Sequence, residues 1–139
     1  SGAGAVLLGN DAASGVAVRK VTEGHSFSSR KEAARAALEG LSELDSACPV
    51  LKTATSWALG PERQVLADRS TLPNPNPGVE AFTASAAWDT IRAARWVTAG
   101  GGEVVVPVWG LTRQFGAIQL GPSTDHLPSR TARAQMENP

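Results

Sequence analysis

From Ser29 onward the chain sets alanines and leucines at helical spacing, with Ala34, Ala37, Leu38, Leu41 and Leu44 on one stripe and Arg35, Glu39 and Glu43 off it. The runs on either side follow another period. Val16-Ala17-Val18-Arg19-Lys20-Val21 alternates apolar and polar, and Pro49-Val50-Leu51-Lys52-Thr53 reads as a short buried strand. A helix held between two strand-like runs needs a sheet to lie on, so the fold class is α/β, a mixed sheet with helices packed on it.

The rest of the chain continues that alternation. Gly4-Ala5-Val6-Leu7-Leu8, with turn residues at 10–15, is expected to form a hairpin with residues 16–21. Residues 56–66 read as a short helix broken at Gly60-Pro61. Residues 71–78 hold three prolines and read as loop, neither helix nor central strand. Phe82 to Val97 regains helical spacing, with Phe82, Ala86, Trp88, Ile91 and Ala94 facing inward, and Gly100-Gly101-Gly102 stops it. Glu103 to Trp109, four valines around Pro107, is the most strand-like run, and residues 115–120 are expected to pair with it across Gly110 to Arg113. One short helix is expected in the tail from Leu127.

At 139 residues, with 42% hydrophobic and 19% charged, one domain spanning 1–139 with a real core is expected. Formal net charge is zero, so no global basic field draws the chain to nucleic acid; such a partner needs a local patch. Arg92, Arg95, Arg113, Arg130 and Arg133 stand among few acids and permit one. The lone Cys48 cannot form an internal disulfide and reads as a buried small residue; with two separated histidines it gives no zinc spacing. No apolar stretch approaches the roughly 20 residues of a membrane span and no leader is visible, so a soluble, intracellular protein without a membrane partner is expected. His25 in its polar turn reads as solvated, His126 as structural. Core packing is expected for Trp88, Trp96 and Trp109, exposure for Trp57.

Read together, the opening run, the helix start Ser28-Ser29-Arg30-Lys31-Glu32 and Asp125-His126-Leu127-Pro128-Ser129-Arg130 resemble a ribonuclease H domain of retroelement reverse transcriptases. The late segment is similar to that family's Ala-Asp-x-Leu-Ser-Arg signature, with threonine before the aspartate and an inserted proline. The resemblance implies a ribonuclease H-like sheet and a magnesium site in which paired ions activate water and stabilise the leaving oxygen. It assigns Glu32 and Asp125 as catalytic carboxylates and metal ligands, and from the arginine group above Arg113, Arg130 and Arg133 are the expected nucleic-acid contacts. Glu32 also reads as the far end of a capping box with Ser29, and counting back from the apolar stripe puts Ala33 at the family's glutamate position. Where the family's next strand ends Thr-Asp-Ser, this chain has Thr53-Ala54-Thr55-Ser56, and alanine offers no ligand. The family's first aspartate falls upstream of Ser1.

The resemblance thus implies a degenerate site. It points to a domain contacting RNA–DNA hybrid or structured RNA with hydrolysis weak or lost, Mg2+ as cofactor only if active, and a scaffold role beside other domains of a reverse transcriptase or ribonucleoprotein. The alternative comes from residues 103–121, which are similar to the last hairpin of GAF-type small-molecule-binding regulatory domains. After Trp109 a ribonuclease H domain is expected to show a loop and then a helix, whereas a GAF domain needs another paired strand.

Overall fold

The computed structural model describes residue 9 and residues 15–41, 48–53, 59–74, 84–110 and 112–123. Its elements run β1 (Val16–His25), α1 (Arg30–Glu39), β2 (Val50–Leu51), α2 (Leu59–Val65), β3 (Thr71–Leu72), α3 (Ser85–Thr98), β4 (Val104–Trp109) and β5 (Gln114–Pro122). One five-stranded sheet holds them in the order β1-β5-β4-β2-β3. β5 runs antiparallel to both β1 and β4, while β2 is parallel to β4 and β3. Four strands therefore point one way and β5 alone points back. The expected mixed α/β sheet is present, and so is the β4–β5 hairpin, with Val104 opposite Leu120 and Trp109 opposite Phe115. The strand after Trp109 is thus a paired one, yet two of the sheet's four pairings are parallel.

β4 shows why the sequence reads so apolar there. Val105 faces the core beneath α1, with Val50, Phe115 and Ala117. Val104 and Val106 face the opposite side, with Leu51, Ala93, Val97 and Leu120. A strand covered on both faces loses alternation because each side is dry. Pro107 sets the limit of its parallel ladder. Val105 N donates to Pro49 O at 2.9 Å; two residues on, on the same side of β4, Pro107 has no N–H to give, and β2 ends at Leu51.

α1 is the best-read element. Ala33, Ala34, Ala37, Leu38 and Leu41 are buried, and Ser29 caps the helix by accepting from Glu32 N at 3.2 Å. Its alanine face lets β1 approach closely: Thr22 Oγ1 donates to Ala37 O at 2.8 Å, and a Cβ on Gly24 would stand 1.9 Å from Ala33 O. Leu44 lies outside the described residues, as do the opening run at 4–8 and the tail.

Three local expectations are corrected. Gly60 and Pro61 do not break a helix but form the first turn of α2, where proline's missing N–H costs nothing. Thr71–Leu72, inside the expected loop, pairs with β2 as an edge strand before Pro73 ends it. α3 is rotated from its expected phase: Asp89, Ala93 and Val97 are buried, while Ala86, Ile91 and Ala94 are half-buried and Trp88 is 37% exposed. Asp89 misled the reading, because Arg92 Nη1 donates to its carboxylate at 2.8 Å and makes an acid tolerable on the inward stripe. Trp96 is 36% exposed and lies over Gly101, while Trp109 is half-buried, edge-on to Phe115 at 4.6 Å. Phe82 and Trp57 lie outside the described residues.

Candidate functional site at the carboxyl edge of the sheet

Because β1, β4, β2 and β3 point the same way, their carboxyl ends share one edge of the sheet, the place where α/β folds open crevices. Two cavities open there, with α2 between them. The larger, about 1080 Å³, is lined by the end of β1 (His25), the serine-rich link to α1, Arg30 and Lys31 of its first turn, Gly60, Pro61 and Gln64 of α2, and the β4–β5 turn. The smaller, about 500 Å³, lies beyond the ends of β2 and β3 and includes Lys52, Thr53, Glu62, Arg63 and Arg69.

Hydrogen bonds fix the wall of the larger cavity. Ser26 N donates to Arg113 O at 3.2 Å, and Arg113 Nη1 donates to the Phe27 carbonyl, tying the β4–β5 turn to the link after β1. The Phe27 ring itself is fully exposed. Ser26 Oγ donates to Glu32 Oε2 at 2.9 Å, and Ser28 Oγ donates to the same oxygen. These hydroxyls, Ser28 first, hold the Glu32 carboxyl below the usual range; desolvation opposes them, and Arg35 and then Lys31 add smaller downward pulls. A stabilised carboxylate is a weaker base.

Glu62 has the opposite character. It is only 4% exposed, and its Oε1 accepts from Thr53 N at 2.9 Å. Burial dominates and pushes its carboxyl up to about 7; Asp89 adds repulsion, while the Thr53 N–H, Lys52 and a weak pull from the Trp109 indole oppose the rise. The buried Trp109 Nε1 falls short of hydrogen-bond geometry. Asp89 is also raised by burial, against the attraction and hydrogen bond of Arg92. A carboxyl near 7 beside a cavity can exchange a proton at neutral pH.

Of the residues singled out by sequence, Glu32 and Arg113 stand on this edge, Glu32 as an exposed carboxylate at the first turn of α1 and Arg113 in the cavity wall. Asp125, His126, Arg130, Arg133 and Ala54 lie outside the described residues. Ala33, the other candidate for the glutamate position, is buried in the core. Among the described residues no three histidines, cysteines or carboxylates gather closely enough to hold a metal. Glu32, already bound by two hydroxyls, brings no second carboxylate, so the described donor set does not fit Mg2+. Cys48 is buried in the core, and His25 is exposed with Nε2 3.7 Å from Glu23 Oε2. Sequence reasoning missed Glu62 and Asp89; for Asp89 the usable signal was the i,i+3 spacing to Arg92. No described helix is long and apolar enough to cross a membrane.

No protein-family profile and no curated protein sequence matches the chain. One solved structure is similar in fold. It is described as a type II PKS acyl-carrier protein in complex with its ketosynthase bound to the hexaketide, AntDE:AntF (apo), and the likeness has a TM-score of 0.54 at 8% identity. It covers 76% of this chain and 33% of that one, so the matched stretch is a third of a chain more than twice as long.

Proposed function

We propose that this chain is a ketosynthase-like α/β unit that works beside an acyl-carrier protein as a recruiting or structural part and does not itself carry the bond-forming chemistry. The observation behind the reading is the fold likeness over 76% of the chain to a member of the ketosynthase and acyl-carrier complex. We take that long chain to be the ketosynthase component. Fold likeness carries function by analogy only, so the chemistry of the edge must supply the rest. Covalent acyl transfer needs an accessible nucleophile beside a base. Cys48, the sole cysteine, is buried in the core, and the hydroxyls of Ser26 and Ser28 meet a carboxylate too stabilised to take their protons well. Among the described residues that inventory favours binding over catalysis.

The nuclease-scaffold reading keeps one observation in its favour: Arg113, Arg30 and Lys31 gather around an open cavity, as a backbone-contacting surface needs. It weighs less because β5 follows β4 as a paired strand where loop and helix are expected. The sensor reading gains that strand, but the similarity behind it covers residues 103–121 only.

The test sets ¹⁵N-labelled chain against an acyl-carrier protein bearing a bound acyl group, and separately against an RNA–DNA hybrid. Shifts along the carboxyl edge with the carrier, without transfer of the acyl group to the chain by intact mass, support the proposal. Silence toward the carrier together with salt-sensitive hybrid binding overturns it in favour of the nuclease scaffold.

A further inference from the structure

We propose that the smaller cavity, beyond the carboxyl ends of β2 and β3, is a binding site for a small oxyanion, a carboxylate or a phosphate-like group, held by Lys52, Arg63 and Arg69 and sharing a proton with Glu62. The inference stands on this cavity alone and not on the ketosynthase-like reading.

The cations are the first argument. Lys52 follows β2, Arg63 belongs to α2 and Arg69 lies between α2 and β3, and all three line a space of about 500 Å³. Among the described residues none of these side chains forms an ion pair or a hydrogen bond, whereas Arg19, Arg92 and Arg113 each do. Glu62 is the sole acid among the described lining residues. Asp68, beside Arg69 in sequence, neither lines the cavity nor pairs with a cation, and counting both acids against the three cations still leaves this region positive. A guanidinium fork fits carboxylate and phosphate oxygens alike, so the cations select an oxyanion.

Glu62 is the second argument, and an independent one. It is 4% exposed yet lines the cavity, and Thr53 N is the one hydrogen-bond donor its carboxyl meets among the described residues. The Trp109 indole falls short of it. Oε2 is thus a nearly buried oxygen without a partner, and a molecule in the cavity can supply one. An anion arriving beside an ionised carboxylate meets a like charge, so the two are stable together only with a proton between them. Lys52 from the end of β2 and the Thr53 N–H favour ionisation of Glu62, while Asp89 from α3, itself paired with Arg92, opposes it. Burial outweighs both and keeps the proton on Glu62 up to about 7. Protonated Glu62 donates from Oε2 while Oε1 goes on accepting from Thr53 N, and the three cations then face no charged acid in the described wall.

Titration calorimetry of the full chain at low salt uses acetate and sulfate, neither of which titrates near neutral pH, in buffers of different ionisation enthalpy, with NMR mapping of the backbone amides. Saturable binding of at least one is expected, with shifts centred on residues 52–53, 62–63 and 69–71; the tighter of the two tells a carboxylate ligand from a phosphate-like one. Binding should take up a proton at pH 7.5 and almost none at pH 6, and affinity should fall by up to about tenfold per pH unit above about 7. Glu62→Gln should still bind but lose both pH effects, because its amide nitrogen can donate to the anion while its oxygen accepts from Thr53 N. Arg63→Gln, at an exposed position, should weaken binding about tenfold with an unchanged melting temperature. The proposal is overturned if neither anion binds, if shifts centre on the larger cavity, if native binding takes up no proton at pH 7.5, or if Arg63→Gln binds as the native chain does. A carrier protein that binds while neither anion does would sink this inference and leave the ketosynthase-like reading standing; anion binding with silence toward the carrier does the opposite.

Discussion

Glu62 and Glu32 are both glutamates at the start of a helix, and their surroundings drive them in opposite directions. Exposed Glu32 gains two hydroxyl donors and stays ionised, whereas buried Glu62 keeps its proton up to about 7. The consequence for Glu62 follows from linkage. Between its ordinary value of 4.5 and about 7 the native chain holds a proton that the unfolded chain has released, so stability is highest below that window and falls as pH rises through it. The slope should approach about 1.4 kcal/mol per pH unit at most. Denaturant unfolding of the native chain and Glu62→Gln from pH 4 to pH 8 checks this: the amide keeps an oxygen for Thr53 N–H and cannot ionise, so the fall should be flattened. Equal pH profiles would mean that Glu62 is solvated after all.

At the scale of elements, α1 and β1 form a unit whose fit depends on small residues. A methyl on Gly24 would strike the backbone oxygen of Ala33, which no side-chain rotation can relieve. Gly24→Ala should therefore cost about 3 kcal/mol by chemical denaturation, and a change within error would show that β1 and α1 can separate. Ser29→Ala removes the side-chain acceptor for Glu32 N and should cost about 1 kcal/mol. Ser29→Asp should restore most of that loss, because a carboxylate can accept the same N–H and also favours the positive end of the helix. The α1 stripe was legible because Ala34, Ala37, Leu38 and Leu41 obey one period and nothing charged interrupts it. α3 was not, because its inward row includes Asp89, whose burial depends on a guanidinium one turn away.

For the whole molecule, β5 is the keystone, since it lies between β1 and β4 and pairs with both. Its pairing with β1 joins residues as far apart as Val16 and Pro122. A chain ending at Gly110 leaves β1 without its partner and should show no cooperative thermal transition by circular dichroism; a retained sigmoidal melt would contradict the sheet order. Such distant pairing also places folding toward the slow, millisecond-to-second end for a domain of this size. Of the site, sequence picked out Glu32 and Arg113 separately, through a family resemblance and through a count of arginines. It could not show that both reach one edge of the sheet, because the path from α1 to the β4–β5 turn passes through the whole strand order.

The sequence by itself determined the local periods: a helix where alanines and leucines recur every three to four residues, strands where valines cluster, a stop at three glycines. These depend on interactions within a few residues, so one chain suffices to read them. Only the tertiary structure decided which strands are neighbours, that four of them end on one side, and that Glu62 sits dry while Arg30, Lys31 and Arg113 come to line one cavity. Burial and charge proximity are properties of the packed whole, and no linear spacing encodes them.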